Sequence, residues 1–378
     1  MKKKILLMYI SKVSGHRQAT VAIERSIEKM IPQAEVHSIN GFGYNYPVLE
    51  RVINAAYMGV ICHTPKVWDY LYDNPKVVKR SANLRKFLNR SSHKKLEKLF
   101  SSFPADLVIC SQAFPCGMVA DYKLSKGLKM KLIGVLTDWA PHSFWIHPGV
   151  DYYVVPSEDT RERFVKKGVP AEKIKVLGIP IHYKFAERHD RLRIKTKLGL
   201  DPLVPVVLIM GGGQGLGPVK DALRCMTKLS IPVQFVVVAG ANLRLYQWLL
   251  KFARTSSKKI LPLDFAANVD ELMDAASLIV TKPGGMTTSE CLVKGVPMVI
   301  LNPLPGQEVR NSDFLIEKGI AVHVHDVRDL AEEVELLLRS PDRLASMSQK
   351  ALEYGKPHAA DDITRLAMTL IGTGELAR

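Results

Sequence analysis

The sequence predicts an α/β protein made of two Rossmann-like domains. Three observations carry that reading. Short apolar runs of strand length recur in both halves, each ending in a loop that bears Gly or Ser. Stretches with helical spacing lie between them, the βαβ alternation of doubly wound sheets. A chain of 378 residues is too long for one ordinary core and suits two.

Taken in order, the strand candidates of the first half are "KKILLMYI", "DLVIC", "KLIGVLTD", "DYYVVPSE" and "IKVLGIP". The opening "MKKKILLMYI" looks like a signal peptide, basic and then apolar. Its apolar run is short, holds β-branched and aromatic residues and lacks a small-residue cleavage site, so a first buried strand is expected. After it, "TVAIERSIEKMI" sets Ile23, Ile27, Met30 and Ile31 on one helical face. The stretch 185–200, "FAERHDRLRIKTKLGL", is charged and then helical, and a domain boundary is expected near residue 190. A second strand series follows, "VPVVLIMGGGQG", "IPVQFVVVAG", "SLIVTKPGG", "VPMVILNP" and "AVHVHD", with helical "TTSECLVKG" and "VRDLAEEVELLLRS" among them. The predicted organisation is a first domain over 1–190 and a second over 191–355. A C-terminal helix over 356–378 could pack on either, the first being favoured.

The net charge is +16, and residues 1–100 alone hold 18 Lys or Arg against 7 Asp or Glu, a balance of +11. Such a field suits nucleic acid, an acidic membrane surface or a phosphorylated substrate. Residues 44–98 interrupt the strand–helix alternation. An aromatic and aliphatic stretch there precedes "PKVVKRSANLRKFLNRSSHKKLEK", which carries nine Lys or Arg and one Glu. This reads as contact with an anionic membrane surface; helices with a solvated basic face are the plain alternative. No helix-turn-helix, zinc-finger or RNP-like pattern supports nucleic acid as a partner. No run of about 18 apolar residues predicts a transmembrane helix. Five scattered cysteines with no CxxC pair suggest reduced thiols in the cytoplasm and no zinc site.

Two glycine-bearing turns carry chemistry. "VVLIMGGGQGLG" (206–217) runs from a strand into glycines that let backbone amides approach a phosphate. It is not a Walker A loop, and a tight structural turn remains the alternative. "LIVTKPGGMTTSECLVKGVPMVILNP" (278–303) reads strand, turn, helix, strand. Its helix N-terminus is expected at the carboxyl edge of the sheet, where such folds bind ligands. Thr287 and Thr288 could add hydroxyl donors to a diphosphate. Glu290 could accept from a ribose diol or serve only as a helix-start charge. In "LPGQEVRNSDF", Gln307, Glu308 and Asn311 offer the mixed donors and acceptors that sugar hydroxyls need, or simply a polar cap.

Together "GGGQGLG", "DFAANVDELMDAASLIVTKPGGMTTSECLVKGVPMVILNPLPGQEVRNSDFL", "SGHRQATVAIERSI" and "TDWAPHSFWIHPGVDYYVVPSE" strongly resemble the diacylglycerol glycosyltransferase family. This includes monogalactosyldiacylglycerol synthases and bacterial diacylglycerol glucosyltransferases. The resemblance implies a GT-B fold, two facing Rossmann-like domains with the active site in their cleft. It implies a UDP-sugar donor held by the second domain, a diacylglycerol-type acceptor entering from the first, an inverting reaction, and no metal or other cofactor. The enzyme would act in the cytoplasm, peripherally on the membrane.

Residue by residue, the resemblance makes His16 the catalytic histidine and Glu290 the ribose ligand. Gly284, Gly285 and Thr287 become the diphosphate turn, and Gln307 and Glu308 the donor-sugar pair. Gly212, Gly213 and Gln214 become the first glycine loop, with Phe265 and Asn268 bordering the uracil. One departure is that "KVSGHR" keeps Gly15 but lacks the glycines many relatives carry before it.

Direct inversion needs a base, an in-line nucleophile and stabilisation of departing UDP. His16 suits the first, since an ordinary imidazole is mostly neutral at cellular pH. Amides at 212–214 and 284–287 suit the last, with Arg17 a further candidate, and no DxD-like metal motif is present. Asp138 is the expected carboxylate orienting His16, with loop capping as its alternative role. His142 and His147 have a metal-like spacing, but Pro141 and Pro148 argue against a regular helix, and no metal site is expected. Two other readings stay open: transfer of N-acetylglucosamine to a lipid-linked or polysaccharide acceptor, and a non-catalytic UDP-sugar sensor or anionic-surface binder.

Overall fold

A computed structural model describes residues 2–11, 14–41, 44, 93–139, 143–304 and 306–372. Most of the basic 44–98 stretch, together with Lys12, Val13 and His142, lies outside them. The chain forms two units. The first comprises 1–183, 305–307 and 358–378; the second comprises 184–304 and 308–357.

The first unit holds a parallel six-stranded sheet: β1 (Lys4–Tyr9), β2 (Glu35–Asn40), β3 (Leu107–Cys110), β4 (Lys131–Val135), β5 (Tyr152–Val155) and β6 (Ile174–Val176). Their order is β2-β1-β3-β4-β5-β6, with Leu6 of β1 facing His37 on one side and Val108 on the other. Side chains alternate across β1 as the strand period requires. Ile5 and Leu7 join one core with Ile23, Ile27 and Ile363, while Leu6 and Met8 join the other with Val108, Met118 and Phe164. The first of these cores explains the helix Ala359–Ile371. Its Ile363, Ala367 and Ile371 close over the helix Gly15–Met30, and Asp361 accepts from Ser26 Oγ at 2.6 Å.

The second unit repeats the plan with β7 (Val206–Met210), β8 (Gln234–Val238), β9 (Ile260–Leu263), β10 (Leu278–Thr281), β11 (Met298–Leu301) and β12 (Ala321–Val324). Here the order is β12-β11-β10-β7-β8-β9, all parallel. β7, β8, β10 and β11 are buried throughout, which is why they read as continuous apolar runs.

Two strands were not legible in the sequence. β2, "EVHSIN", and β9, "ILPL", are the outer strands of their sheets. No residue of β2 is fully buried and only Ile260 of β9 is, so neither needs an apolar run.

Among the described residues, no helix is long and apolar enough to cross a membrane. Cys110, Cys116, Cys225 and Cys291 are unpaired thiols.

Candidate functional site

In the first sheet the winding direction changes at β1, which lies between β2 and β3. Such a switch point opens a crevice at the carboxyl ends of the strands. The chain leaves β1 through Ser11, a non-glycine residue at φ 62°. Ser14 then caps the helix Gly15–Met30: its hydroxyl donates to the Ile10 carbonyl at 2.7 Å and accepts from the Arg17 amide at 3.3 Å. This puts His16 in the first helical turn, beside the crevice.

The imidazole is held from two neighbouring strand ends. Nδ1 lies 3.1 Å from the Ser111 carbonyl, after β3, and 2.8 Å from Thr137 Oγ1, after β4. A carbonyl only accepts, so the hydrogen is assigned to Nδ1 and the lone pair to Nε2. The backbone of His16 is fixed as well, its carbonyl accepting from Thr20 Oγ1 and Ser111 Oγ at 3.0 Å each. Burial pushes the His16 pKa down to about 4, partly opposed by the Ser111 bond. The ring is therefore neutral at pH 7, with Nε2 able to take a proton.

The expected carboxylate partner of His16 is not there. Among the described residues its hydrogen-bond partners are a carbonyl and hydroxyls, whereas the Asp138 carboxylate accepts from Gln307 Nε2 at 2.8 Å. Thr137, just past the end of β4, meets the ring, whereas Asp138 begins the bend that follows. Arg17 stacks on Tyr9, 5.7 Å from the ring centroid. His147 is a packing residue: its Nε2 faces the Phe144 carbonyl at 3.0 Å, and Tyr153 Oη brackets its backbone.

In the second sheet the switch point falls between β7 and β10. Thr281 Oγ1 clips the two ends together by donating to the Met210 carbonyl at 2.9 Å. The loop at 211–217 folds on itself through Gly215 N to Gly212 O (3.0 Å) and Leu216 N to Gly211 O (2.9 Å). Gly212, Gly215 and Gly217 take φ of 70°, 58° and 98°, which glycine alone adopts cheaply. Among the described residues, none accepts from the amides of Gly212, Gly213 or Gln214, and Gly213 and Gln214 are exposed.

Beside this loop, the turn after β10 is held by Asn311 Nδ2, which donates to the Pro283 carbonyl at 2.9 Å. Gly284 caps the helix Gly285–Lys294 without a side-chain bond, so the first amides keep their capacity for an anion. Thr287 is half-buried, but Thr288 is fully buried and its hydroxyl has no partner among the described residues. Of the two threonines expected at the diphosphate, Thr287 is the accessible one. Helical rotation of about 100° per residue separates them.

Glu290 is half-buried one turn further on. Burial raises its pKa to about 8, Lys184 opposes this, and Asp270 adds to it. Phe265 is 68% exposed, available for stacking. Asn268 Nδ2 already donates to Glu271 at 3.0 Å. Glu308 accepts from the Leu304 amide at 2.7 Å and pairs with Lys282 at 3.1 Å, so the expected sugar contact sits on a half-buried ion pair. Sequence reasoning missed Thr137, Ser111, Lys184, Asp270 and Lys282. Only Lys282 had a local signal, its place in the "TKPGG" turn. Among the described residues, no group of three or more His, Cys, Asp or Glu could hold a metal ion.

Comparison with known proteins bears on both units. Residues 16–181 match the monogalactosyldiacylglycerol (MGDG) synthase family model, and residues 206–363 match the glycosyltransferase family 28 C-terminal domain. A processive diacylglycerol beta-glucosyltransferase of Bacillus cereus (strain AH187) is 30% identical over 363 residues, 95% of this chain and 92% of the relative. Its counterpart in Bacillus pumilus (strain SAFR-032) is 29% identical over 364 residues, 96% of this chain and 93% of the relative. The crystal structure of Acinetobacter baumannii MurG is similar in fold, with a TM-score of 0.66 at 16% identity over 97% of this chain and 99% of that one. The two parallel sheets are those of the GT-B fold.

Proposed function

The chain belongs to the diacylglycerol glycosyltransferase family, and from that premise we propose its reaction. The protein moves a hexose, glucose before galactose, from a UDP-sugar to diacylglycerol or a glycosyl-diacylglycerol at a membrane surface. The observation that carries this reading is the second switch point. There a glycine loop whose amides have no acceptor among the described residues adjoins a helix N-terminus without a side-chain cap, with Glu290 one turn beyond. The diphosphate would take the amides of 212–214 and 284–287, and the ribose diol would meet Glu290. Phe265 and Asn268 would border the uracil, Gln307 and Glu308 the sugar.

The chemistry follows from what His16 can do. Nε2 takes the proton of the acceptor hydroxyl as its oxygen attacks the anomeric carbon. The bond from that carbon to the diphosphate breaks, and UDP leaves with the electron pair. The relatives are named beta-glucosyltransferases. A β-linked product from an α-linked UDP-glucose means inversion, which fits one displacement and one base. Oriented amides and the helix dipole can carry the charge on UDP that a divalent ion carries elsewhere. Membrane contact is assigned to the basic 44–98 stretch, in keeping with its charge.

The test is transfer from UDP-glucose, UDP-galactose or UDP-N-acetylglucosamine to diacylglycerol in vesicles, with product mass and anomer read by NMR. A β-hexosyl-diacylglycerol formed equally well with a chelator present is the expected result. Transfer of N-acetylglucosamine alone, an α-linked product or a metal requirement refutes the corresponding part. Binding of UDP-sugar without transfer would make the protein a sensor.

A further inference from the structure

The residue Lys184 opens the second unit, far in sequence from either glycine turn. Its ammonium pairs with Asp270 Oδ1 at 2.9 Å and donates to the Ala267 carbonyl. It thereby ties the segment entering the unit to the loop that carries Phe265 and Asn268, and to the start of the helix Val269–Ala275. Asp270 is nearly buried, its side chain 8% exposed. Glu290 lies on the helix Gly285–Lys294, which packs against the helix that Asp270 begins, and the charges of Lys184 and Asp270 act on it in opposite directions. So two carboxylates share a poorly solvated spot with one ammonium. Of the groups that bear on Glu290, Lys184 comes from the entering segment, Asp270 from the facing helix, and the Cys291 thiol is its chain neighbour.

A carboxylate accepts at both oxygens, whereas a protonated carboxyl spends one oxygen on its own hydrogen. A ribose diol offers two hydroxyls, so it is best met by the ionised form. Two anions alone in a half-buried site resist ionising together. We propose that Lys184 is a positioning residue for the nucleotide donor: it offsets the charge of the Asp270–Glu290 pair and so favours the carboxylate form of Glu290 that meets the ribose. The proposal rests on the reading of Glu290 as the ribose ligand. It extends that site to a residue outside both glycine motifs.

Calorimetric titration of UDP into the full chain between pH 6 and 9.5 tests it, with wild type, Lys184→Met, Lys184→Arg, Glu290→Gln and the Lys184→Met/Glu290→Gln double variant. Thermal melts establish that each is folded. Wild-type affinity should rise with pH through about 8, the midpoint of Glu290 ionisation, and level off above it. Lys184→Met should move that rise upward by about one pH unit, an affinity loss of about tenfold near pH 7. Lys184→Arg should keep the wild-type profile. In the Glu290→Gln background Lys184→Met should cost nothing further, because the two act as one unit. An unchanged profile in Lys184→Met overturns the proposal. So does a loss that persists undiminished beside Glu290→Gln, which would mean direct contact or general damage. If Glu290→Gln leaves wild-type UDP affinity and its pH profile intact, the ribose assignment falls and the proposal with it. A wild-type chain that binds no UDP at any pH refutes the donor reading itself.

Discussion

Replacing Thr137 with valine separates holding the base from being the base. Nδ1 of His16 has two oxygen neighbours, the Ser111 carbonyl at 3.1 Å and Thr137 Oγ1 at 2.8 Å. The carbonyl belongs to the backbone and survives any side-chain change, so it keeps the hydrogen on Nδ1. Thr137→Val deletes only the shorter contact, in a residue that is itself buried. One such hydrogen bond contributes about 0.5–1.5 kcal/mol, which corresponds to roughly two- to twelvefold in rate. Losing the base altogether, as in His16→Ala, should cost about 10²- to 10⁴-fold. The assay is the initial rate at saturating donor and acceptor, with UDP affinity measured alongside. Thr137→Val should fall between wild type and His16→Ala in rate and match wild type in UDP affinity. A rate equal to wild type would refute the holding role. A well-folded Thr137→Val as slow as His16→Ala would place Thr137 in the proton path and refute the reasoning about the tautomer.

Further outcomes follow from the same geometry. The folded chain holds His16 neutral to about pH 4, whereas an unfolded imidazole takes its proton near 6.5. Protons therefore favour the unfolded chain, and the His16 contribution to stability is lost as pH falls from about 6.5 to about 4. Denaturant titrations across that range should show a shallower fall for His16→Gln, and an equal fall would contradict the buried neutral ring. Among the loop glycines, a Cβ on Gly215 would stand 2.0 Å from the Ala239 carbonyl, while one on Gly213 meets open space. Gly215→Ala should lower Tm sharply. Gly213→Ala should leave Tm within a few degrees but weaken UDP binding, and a tight UDP complex in Gly213→Ala would take the loop away from the diphosphate. Thr288→Val should leave stability and UDP affinity intact or improved, because the buried hydroxyl has no partner among the described residues. A drop in UDP affinity would return Thr288 to the diphosphate.

Legibility followed burial. The central strands of both sheets could be read because parallel strands covered on both faces must be apolar along their length. The outer strands β2 and β9 could not, because exposure frees them from that pattern. The first glycine turn was visible for a related reason. A backbone at φ of 58° to 98° favours glycine, and three glycines of one loop adopt it.

The glycines of the first loop were thus written in the sequence, as residues whose backbone conformation has few substitutes, whereas His16 and Glu290 were named through the family resemblance. Their electrostatic partners were not. Thr137 rather than Asp138 meets the imidazole, and nothing in "LTDWAPH" distinguishes them before the strand end is oriented. Lys184 is one of many lysines until the fold sets its ammonium 2.9 Å from Asp270, on the helix packed against the one that carries Glu290. Periodicity and backbone conformation are local and leave a trace in the chain. Charge pairing and desolvation depend on what the folded chain brings together, and only the tertiary structure decides them.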